Sequence, residues 1–269
     1  AGAMAFGELF TASSSDGEGL ADQTLKSALE EIGRLGGLAT IHAEEVILGT
    51  PHDLASHNRL RGPAGETRAV GRIAAGGHPC RLHFCHLSAA SSVAAAGDAS
   101  VEVTPHHLFL SYEQVGDSDT FCKVNPPLRT ETERRRLWTA WDRIDVIASD
   151  HAPHSLREKE VPFDVAPSGI PGVETMLPLL VAAFMNGNIL LNSLIAKTSW
   201  RPAELLGITK AGYSPGDRAD FAIFGILSTP VSADDLHSRA GWTPFEGIPA
   251  VFPEFVIQSG NIAFREGEF

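Results

Sequence analysis

The sequence predicts an α/β fold with a parallel sheet and a small β appendage towards its C-terminus. Short apolar runs alternate with helical patterns over residues 1–150, and strands separated by helices of this length are typical of βαβ units. A Pro- and Gly-rich stretch then runs to Gly172, and mostly helical sequence continues to Leu206. Short strand patterns come last, and two of them flank the turn-forming pair Ser259-Gly260.

Apolar periodicity places the individual elements. The first helix carries apolar residues at Leu25, Leu29, Ile32 and Leu35 and ends before a glycine pair. We divide the chain into a main α/β body, 1–206, and a segment, 207–269, that contributes to a small β domain and returns to the body. The predicted strands are 3–10, 38–42, 80–86, 100–103, 144–149, 221–224, 255–258 and 261–264. The predicted helices in the body are 20–35, 66–75, 88–96 and 130–141.

Composition narrows the possible partners. The chain has 269 residues, is 43% hydrophobic and carries a net charge of −12. This charge argues against nucleic acid and anionic membranes as partners, and no apolar run is long enough to span a bilayer. Cys80, Cys85 and Cys122 form no CxxC pair, which favours a reducing, cytoplasmic location over a disulfide framework.

Polar residues mark the ends of three predicted strands. His42 and His86 each end a strand, and Asp150 ends a later one. Because the C-terminal ends of parallel barrel strands converge on one face, two imidazoles and a carboxylate would meet there as candidate Zn²⁺ ligands. Periodicity alone leaves open that each histidine is an ordinary core or loop residue.

Seven strings occur in a fixed order along almost the whole chain. They resemble those of dihydroorotases in the amidohydrolase superfamily, and the additional string Ala5-Phe6-Gly7-Glu8 resembles the archaeal branch. The strings are Thr40-Ile41-His42-Ala43-Glu44-Glu45, Cys85-His86-Leu87-Ser88, Glu102-Val103-Thr104-Pro105-His106-His107-Leu108, Val124-Asn125-Pro126-Pro127-Leu128-Arg129, Ala148-Ser149-Asp150-His151-Ala152-Pro153-His154, Ala166-Pro167-Ser168-Gly169-Ile170-Pro171-Gly172-Val173-Glu174-Thr175 and Trp242-Thr243-Pro244-Phe245-Glu246-Gly247.

The resemblance implies a zinc-dependent cyclic amidohydrolase of pyrimidine synthesis, which interconverts dihydroorotate and N-carbamoyl-aspartate. It also implies an incomplete (β/α)₈ TIM-type barrel that contains strands four to eight, with residues 3–10 as strand four. The family's opening strand carries a His-x-His pair, and no such pair precedes His42. The 269 residues alone are therefore expected to be inactive.

The resemblance also assigns metal ligands. His42 and His86 match the imidazole ligands of the second metal, and Asp150 matches the aspartate that binds the first metal and shuttles the catalytic proton. Many relatives bridge the two metals with a carboxylated lysine, where this chain has Glu8. We hypothesise that Glu8 replaces that bridge. The alternative is that Glu8 is only a strand-end carboxylate, in which case the site holds one metal or takes a ligand from Asp16.

The substrate residues follow in the same way. Asn125 and His154 match residues that hold the dihydroorotate ring and its carboxylate, and the backbone at Ser168 and Gly169 matches the loop at the pyrimidine edge. For Arg129 and His151 the resemblance leaves two roles open, a role in the site and a purely structural one. The resemblance places His106 and His107 beside the site, in supporting or packing roles.

Two other functions stay open. Allantoinases and hydantoinases share the HxE pattern and the strand-end aspartate, but they usually lack NPPLR and the Ala-Pro-His that follows Asp150-His151 here. A catalytically silent scaffold for aspartate transcarbamoylase would be marked by lost ligands, whereas His42, His86 and Asp150 are all present. A homodimer and an association with aspartate transcarbamoylase are the protein partners that the resemblance suggests.

Overall fold

The computed structural model describes residues 2–13, 18–116, 119–265 and 267, and its central feature is a five-stranded parallel sheet. The strands lie side by side in chain order, so each pairs with the next. Their C-terminal ends therefore share one edge of the sheet. The strands are β1 (Phe6–Phe10), β2 (Leu38–His42), β3 (Arg81–Phe84), β4 (Ser100–Val103) and β5 (Val146–Ile147).

Helices connect these strands and continue after the sheet. In the described ranges, no helix combines the length and the apolar character that crossing a membrane requires. A π-helical turn, Ala196–Trp200, joins the last two helices. The helices are α1 (Asp22–Arg34), α2 (Leu54–Leu60), α3 (Pro63–Ala74), α4 (Ala90–Ala95), α5 (Pro105–Phe109), α6 (Tyr112–Val115), α7 (Glu131–Thr139), α8 (Leu156–Lys159), α9 (Val173–Met185), α10 (Leu191–Ile195) and α11 (Arg201–Leu206).

The helices pack their apolar faces against the sheet. Leu29 of α1, Val70 of α3, Phe84 of β3 and Val101 of β4 are completely buried in one cluster. The apolar face predicted for α1 is confirmed for three of its four residues, whereas Leu35 is 53% exposed because it lies beyond the last turn. Burial of this face holds α1 on the sheet.

The C-terminal strands form two further, smaller sheets. The larger is antiparallel, in the order β10-β9-β6, and it confirms the three strands predicted there. The amide of Val251, just after β8, donates to the Pro178 carbonyl of α9, which ties this segment to the body. The division at 206/207 stays a prediction. The strands are β6 (Phe221–Phe224), β7 (Thr229–Pro230), β8 (Pro249–Ala250), β9 (Pro253–Gln258) and β10 (Asn261–Arg265).

Two strands of the main sheet end earlier than predicted, at the residues of most chemical interest. β3 stops at Phe84 and β5 at Ile147. His86 and Asp150 then adopt positive φ angles of 35° and 46°. This conformation is strained for a residue other than glycine, and such residues cluster at functional sites. These turns take both side chains out of the pleat at the C-terminal edge of the sheet.

Helix α2 was not predicted, because its seven residues are too few to show a clear period. Its start does carry a local signal. The Asp53 carboxylate accepts from the Ser56 amide at 2.6 Å, and the Asp53 amide donates to the Ser56 hydroxyl at 3.1 Å. This reciprocal capping box begins the helix.

Candidate metal centre

Three neighbouring strands bring Glu8, His42 and His86 together. Glu8 lies on β1, His42 ends β2 and His86 follows β3. His86 Nε2 lies 2.6 Å and His42 Nδ1 lies 3.4 Å from Glu8 Oε1, and one ligand atom from each residue falls within 4.8 Å of the others. The predicted convergence of His42 and His86 is thus found, and Glu8 joins them.

The cluster concentrates negative charge around His86. Burial opposes the charged imidazolium, but the hydrogen bond to Glu8 and the charges of Asp150 and Glu102 outweigh it and raise the His86 pKa to about 10. Partial burial also opposes ionisation of Glu8, yet the hydrogen bonds from His42 and His86 hold its pKa well below the ordinary value. A bound cation would satisfy the same excess of negative charge.

The donor set fits Zn²⁺. Two imidazoles and a carboxylate are common zinc ligands, and a metal would replace the protons that the two histidines share with Glu8. Among the described residues, buried His86 Nδ1 and both ring nitrogens of His106 have no hydrogen-bond partner. Polar nitrogens of this kind are costly in a protein interior unless a ligand or water satisfies them.

Glu44, two residues after His42, fixes the orientation of that imidazole. Its Oε2 accepts from His42 Nε2 at 2.6 Å, which leaves Nδ1 to face Glu8. Arg61 Nη1 lies 2.5 Å from the same carboxylate oxygen. Burial raises the Glu44 pKa, but the His42 bond and the charges of Arg61 and Arg129 lower it to about 2. Glu44 therefore stays ionised as the second partner of His42.

Replacing Glu44 by glutamine is expected to weaken Zn²⁺ binding by about 10–100-fold, the usual cost of losing a partner of a metal-binding histidine. The dissociation constant is measured by competition with a chromophoric chelator. Glu45→Gln is the matched control, because the Glu45 carboxylate pairs with Arg68 at the surface. Equal zinc affinity in the two variants would contradict the role of Glu44.

The sequence left open whether Arg129 binds substrate or supports the structure. Its contacts are those of a structural residue. Its side chain is buried and bonds Glu66 of α3 at 3.0 Å, Asn58 of α2 at 2.9 Å and Ser88, two residues after His86, at 2.8 Å. This one guanidinium joins two helices to the loop that carries His86.

Asp150 lies outside the three-residue cluster, and its role as a metal ligand stays a prediction. Its Oδ2 is 4.0 Å from His106 Nε2, and burial raises its pKa. Burial and the nearby His86 lower the pKa of His106 to about 3, so this imidazole is neutral. His107 instead bonds Thr104 and the Pro126 carbonyl, at 2.7 and 3.0 Å, which is a packing role.

Two of the residues expected to bind substrate line one cavity. Asn125 and Ser168 both line a cavity of about 410 Å³, together with Arg61, the partner of Glu44. His154 Nε2 donates to the Ser168 carbonyl at 3.3 Å. A side chain at Gly169 would place its Cβ 2.9 Å from the same His154 nitrogen. His154 therefore lies against Ser168 and Gly169, next to the part of the cavity that Ser168 lines.

Other residues named from the sequence have different outcomes. His151 Nδ1 accepts from the amides of Gly172 and Val173, at 3.1 and 3.2 Å, and so caps the start of α9. Asp16 lies outside the described residues. The supporting residues Glu44 and Arg61 were not predicted from the sequence; the HxE pattern formed by His42 and Glu44 was the available signal.

No protein-family model matches the chain. Curated relatives do: it is 39% identical to a dihydroorotase of Methanosarcina acetivorans over 98% of its own length, and 37% identical to a dihydroorotase of Halobacterium salinarum over 96%. The chain spans 63% and 64% of the lengths of these two relatives.

Solved structures show the same fold. The chain superimposes on a D-hydantoinase from Bacillus sp. AR9 with a TM-score of 0.87 and 26% identity, over 97% of this chain and 64% of that one. For an L-hydantoinase (dihydropyrimidinase) from Arthrobacter aurescens the TM-score is 0.86 with 27% identity, over 96% and 64%. By sequence similarity over nearly all of its length, and by its fold, the chain is a homologue of the dihydroorotases of the amidohydrolase superfamily.

Proposed function

We propose that the protein containing this chain is a zinc-dependent dihydroorotase, which reversibly hydrolyses the cyclic amide of dihydroorotate to N-carbamoyl-aspartate. The observation that carries the proposal is the Glu8–His42–His86 cluster at the sheet edge of a chain similar to curated dihydroorotases. The free thiols of Cys80, Cys85 and Cys122 support a reducing, cytoplasmic setting. A homodimer and an association with aspartate transcarbamoylase stay predictions.

The ligands divide between two parts of the protein in this proposal. Glu8, His42 and His86 hold one metal, while Asp150 serves the other, whose His-x-His pair comes from sequence outside this chain. β1 is then strand four of a (β/α)₈ barrel, in which β1 to β5 are strands four to eight. The share of the relatives' length that the chain spans supports this division.

Each residue then has a chemical task. Zn²⁺, when bound, supplies a Lewis acid that activates water at neutral pH and polarises the ring carbonyl. Asp150 takes the proton of the attacking water and returns it to the leaving ring nitrogen. Asn125 and His154 hold the ring and its carboxylate, and the backbone at Ser168 and Gly169 orients the pyrimidine edge. In the reverse direction the same groups close the ring of carbamoyl-aspartate.

The test measures dihydroorotate ring opening by the protein that the complete reading frame encodes. The rate is measured before chelation, after chelation and again after Zn²⁺ is added back. We expect activity that is lost with the chelator and restored by zinc. Activity that survives complete removal of metal would refute the metal-dependent mechanism. Absence of turnover with metal bound would refute dihydroorotate as the substrate.

A hydantoinase-type activity is the second candidate, since the solved structures that share this fold are of hydantoinases. Hydantoin, dihydrouracil and allantoin are therefore assayed beside dihydroorotate. A higher kcat/KM for one of them would assign the protein to that substrate class. If the protein shows no turnover of any of these substrates and binds no metal, the silent scaffold is favoured.

A further inference from the structure

Lys159, the last residue of α8, is a lysine with no exposed surface. Its ammonium group donates to three backbone carbonyls: those of Thr120 and Lys123 at 3.1 Å and that of Pro167 at 2.9 Å. An ammonium group has three protons, so this one is saturated by carbonyls. The ion pairs formed among the described residues do not include it.

The three carbonyls belong to the two segments that border the substrate cavity. Thr120 and Lys123 precede Asn125, and Pro167 precedes Ser168. Lys159 therefore bonds, from inside the protein, the chain on both sides of that cavity.

A second lysine reinforces the same junction. Lys123 Nζ donates to the carbonyls of Phe163 and Ala166, at 2.7 and 2.6 Å, and the Gly169 amide donates to the Lys123 carbonyl at 2.9 Å. The segments 120–125 and 163–169 are thus tied by two ammonium groups and one backbone bond.

Gly169 makes the position of the second segment critical. It has a φ of 151°, and a Cβ there would lie 2.5 Å from the Ala152 carbonyl oxygen. The backbone at 169 therefore fits closely against the segment that carries His154, and a shift of 163–169 would move the contact between Ser168 and His154 as well.

The ammonium group is costly to bury. Desolvation lowers the Lys159 pKa to about 8, and the neighbouring Lys123 charge adds to this shift. Its side chain also places Nζ 5.6 Å from the centre of the Trp242 ring. An apolar side chain of similar length would fill this space without the desolvation cost. It would leave the Pro167 carbonyl without its donor, and the Thr120 and Lys123 carbonyls with only the backbone amides of Lys123 and Gly169. The specific contribution of the lysine is thus to hold these carbonyls together.

We propose that Lys159 is a positioning residue of the substrate cavity, one that holds Asn125 and the Ser168–Gly169 backbone in their binding arrangement before substrate arrives. The inference rests on the proposed function, because it takes the cavity as the site for the cyclic amide. Preorganisation of this kind lowers the ordering cost of binding. Loss of Lys159 should therefore weaken substrate binding more than it slows the chemical step at Asp150.

The test compares Lys159→Met with Lys197→Met in the complete reading frame. Lys197 is a matched control: it is also buried, donates to the Ile144 carbonyl and lies 5.2 Å from the centre of the Trp141 ring, away from the cavity. We expect Lys159→Met to raise the KM for dihydroorotate about tenfold or more, the effect of one unsatisfied buried carbonyl, that of Pro167, with kcat changed less than about threefold. Zinc content should stay unchanged, and Lys197→Met should leave KM unchanged.

Hydrogen exchange provides a readout that does not depend on activity. The Gly169 amide and peptides from 163–169 should exchange faster in Lys159→Met alone. If the wild-type protein opens no cyclic amide, the proposed function fails, while faster exchange confined to this variant still supports the positioning role. Unchanged KM and unchanged exchange would overturn the inference, as would an equal rise in KM in the Lys197 control. Should Lys159→Met fail to fold, Lys159→Arg replaces it, and an unchanged KM in that variant overturns the inference.

Discussion

Replacing Glu8 by glutamine in the complete reading frame is expected to remove bound Zn²⁺ and to lower dihydroorotate ring opening by about 100-fold or more, since even supporting residues around a metal are worth up to about that factor. The reason is the position of the carboxylate. Glu8 Oε1 faces both His86 Nε2 and His42 Nδ1, at 2.6 and 3.4 Å. An amide at this place keeps the shape and loses the anionic ligand.

The measurement is zinc per protein by elemental analysis, together with the steady-state rate. Glu31→Gln is the control, because Glu31 is an exposed residue of α1 paired with Arg34. Full metal content and full activity in Glu8→Gln would show that Glu8 is an ordinary strand-end carboxylate and that the metals need no bridge from β1.

A second variant tests the nature of the bridge. In Glu8→Lys, the new amine can form a carbamate with CO₂, and this group is also an anionic oxygen ligand. Bicarbonate is therefore expected to restore part of the metal binding and activity of Glu8→Lys, and to have no effect on Glu8→Gln. A bicarbonate response in both variants, or in neither, would contradict the bridging role.

Asp150→Asn is expected to reduce kcat by about 10²–10⁴-fold, the range for loss of a general acid–base group. The residue follows β5 in a strained backbone conformation with a φ of 46°, which turns its side chain towards His106. Asparagine keeps the size of the side chain and cannot take a proton. The metal held by Glu8, His42 and His86 should be retained, because Asp150 lies outside that cluster.

Single-turnover rates and metal content are measured on the same preparations. Asp142→Asn serves as the control, since Asp142 is an exposed aspartate eight residues earlier in the chain. A kcat within about threefold of wild type would exclude Asp150 as the proton carrier. A parallel loss of metal and rate would show instead that Asp150 acts mainly as a ligand.

The alternation of strands and helices, and the position of His42 at the end of β2, followed from the sequence, whereas His86 lies two residues beyond the end of β3. Apolar periods are local signals, visible in windows of about 11–18 residues. Parallel strands place their C-terminal ends at one edge of the sheet regardless of the conformation of the connecting loops. For the same reason the positions of β2, β4 and β6 were predicted to the residue. The ordered strings further indicated the family, which the comparisons with relatives confirm.

Only the tertiary structure decided which groups support the site. Arg129 reaches Glu66 across 63 positions, Arg61 reaches Glu44 across 17, and Lys159 reaches the Thr120 carbonyl across 39. No local period marks such partners, because a buried charge is satisfied by whatever donor or acceptor the fold brings within hydrogen-bond distance. The main strands and helices, and the chemical groups at the strand ends, could thus be predicted from local sequence, whereas the contacts that hold each ligand and each cavity residue in place form only in the folded chain.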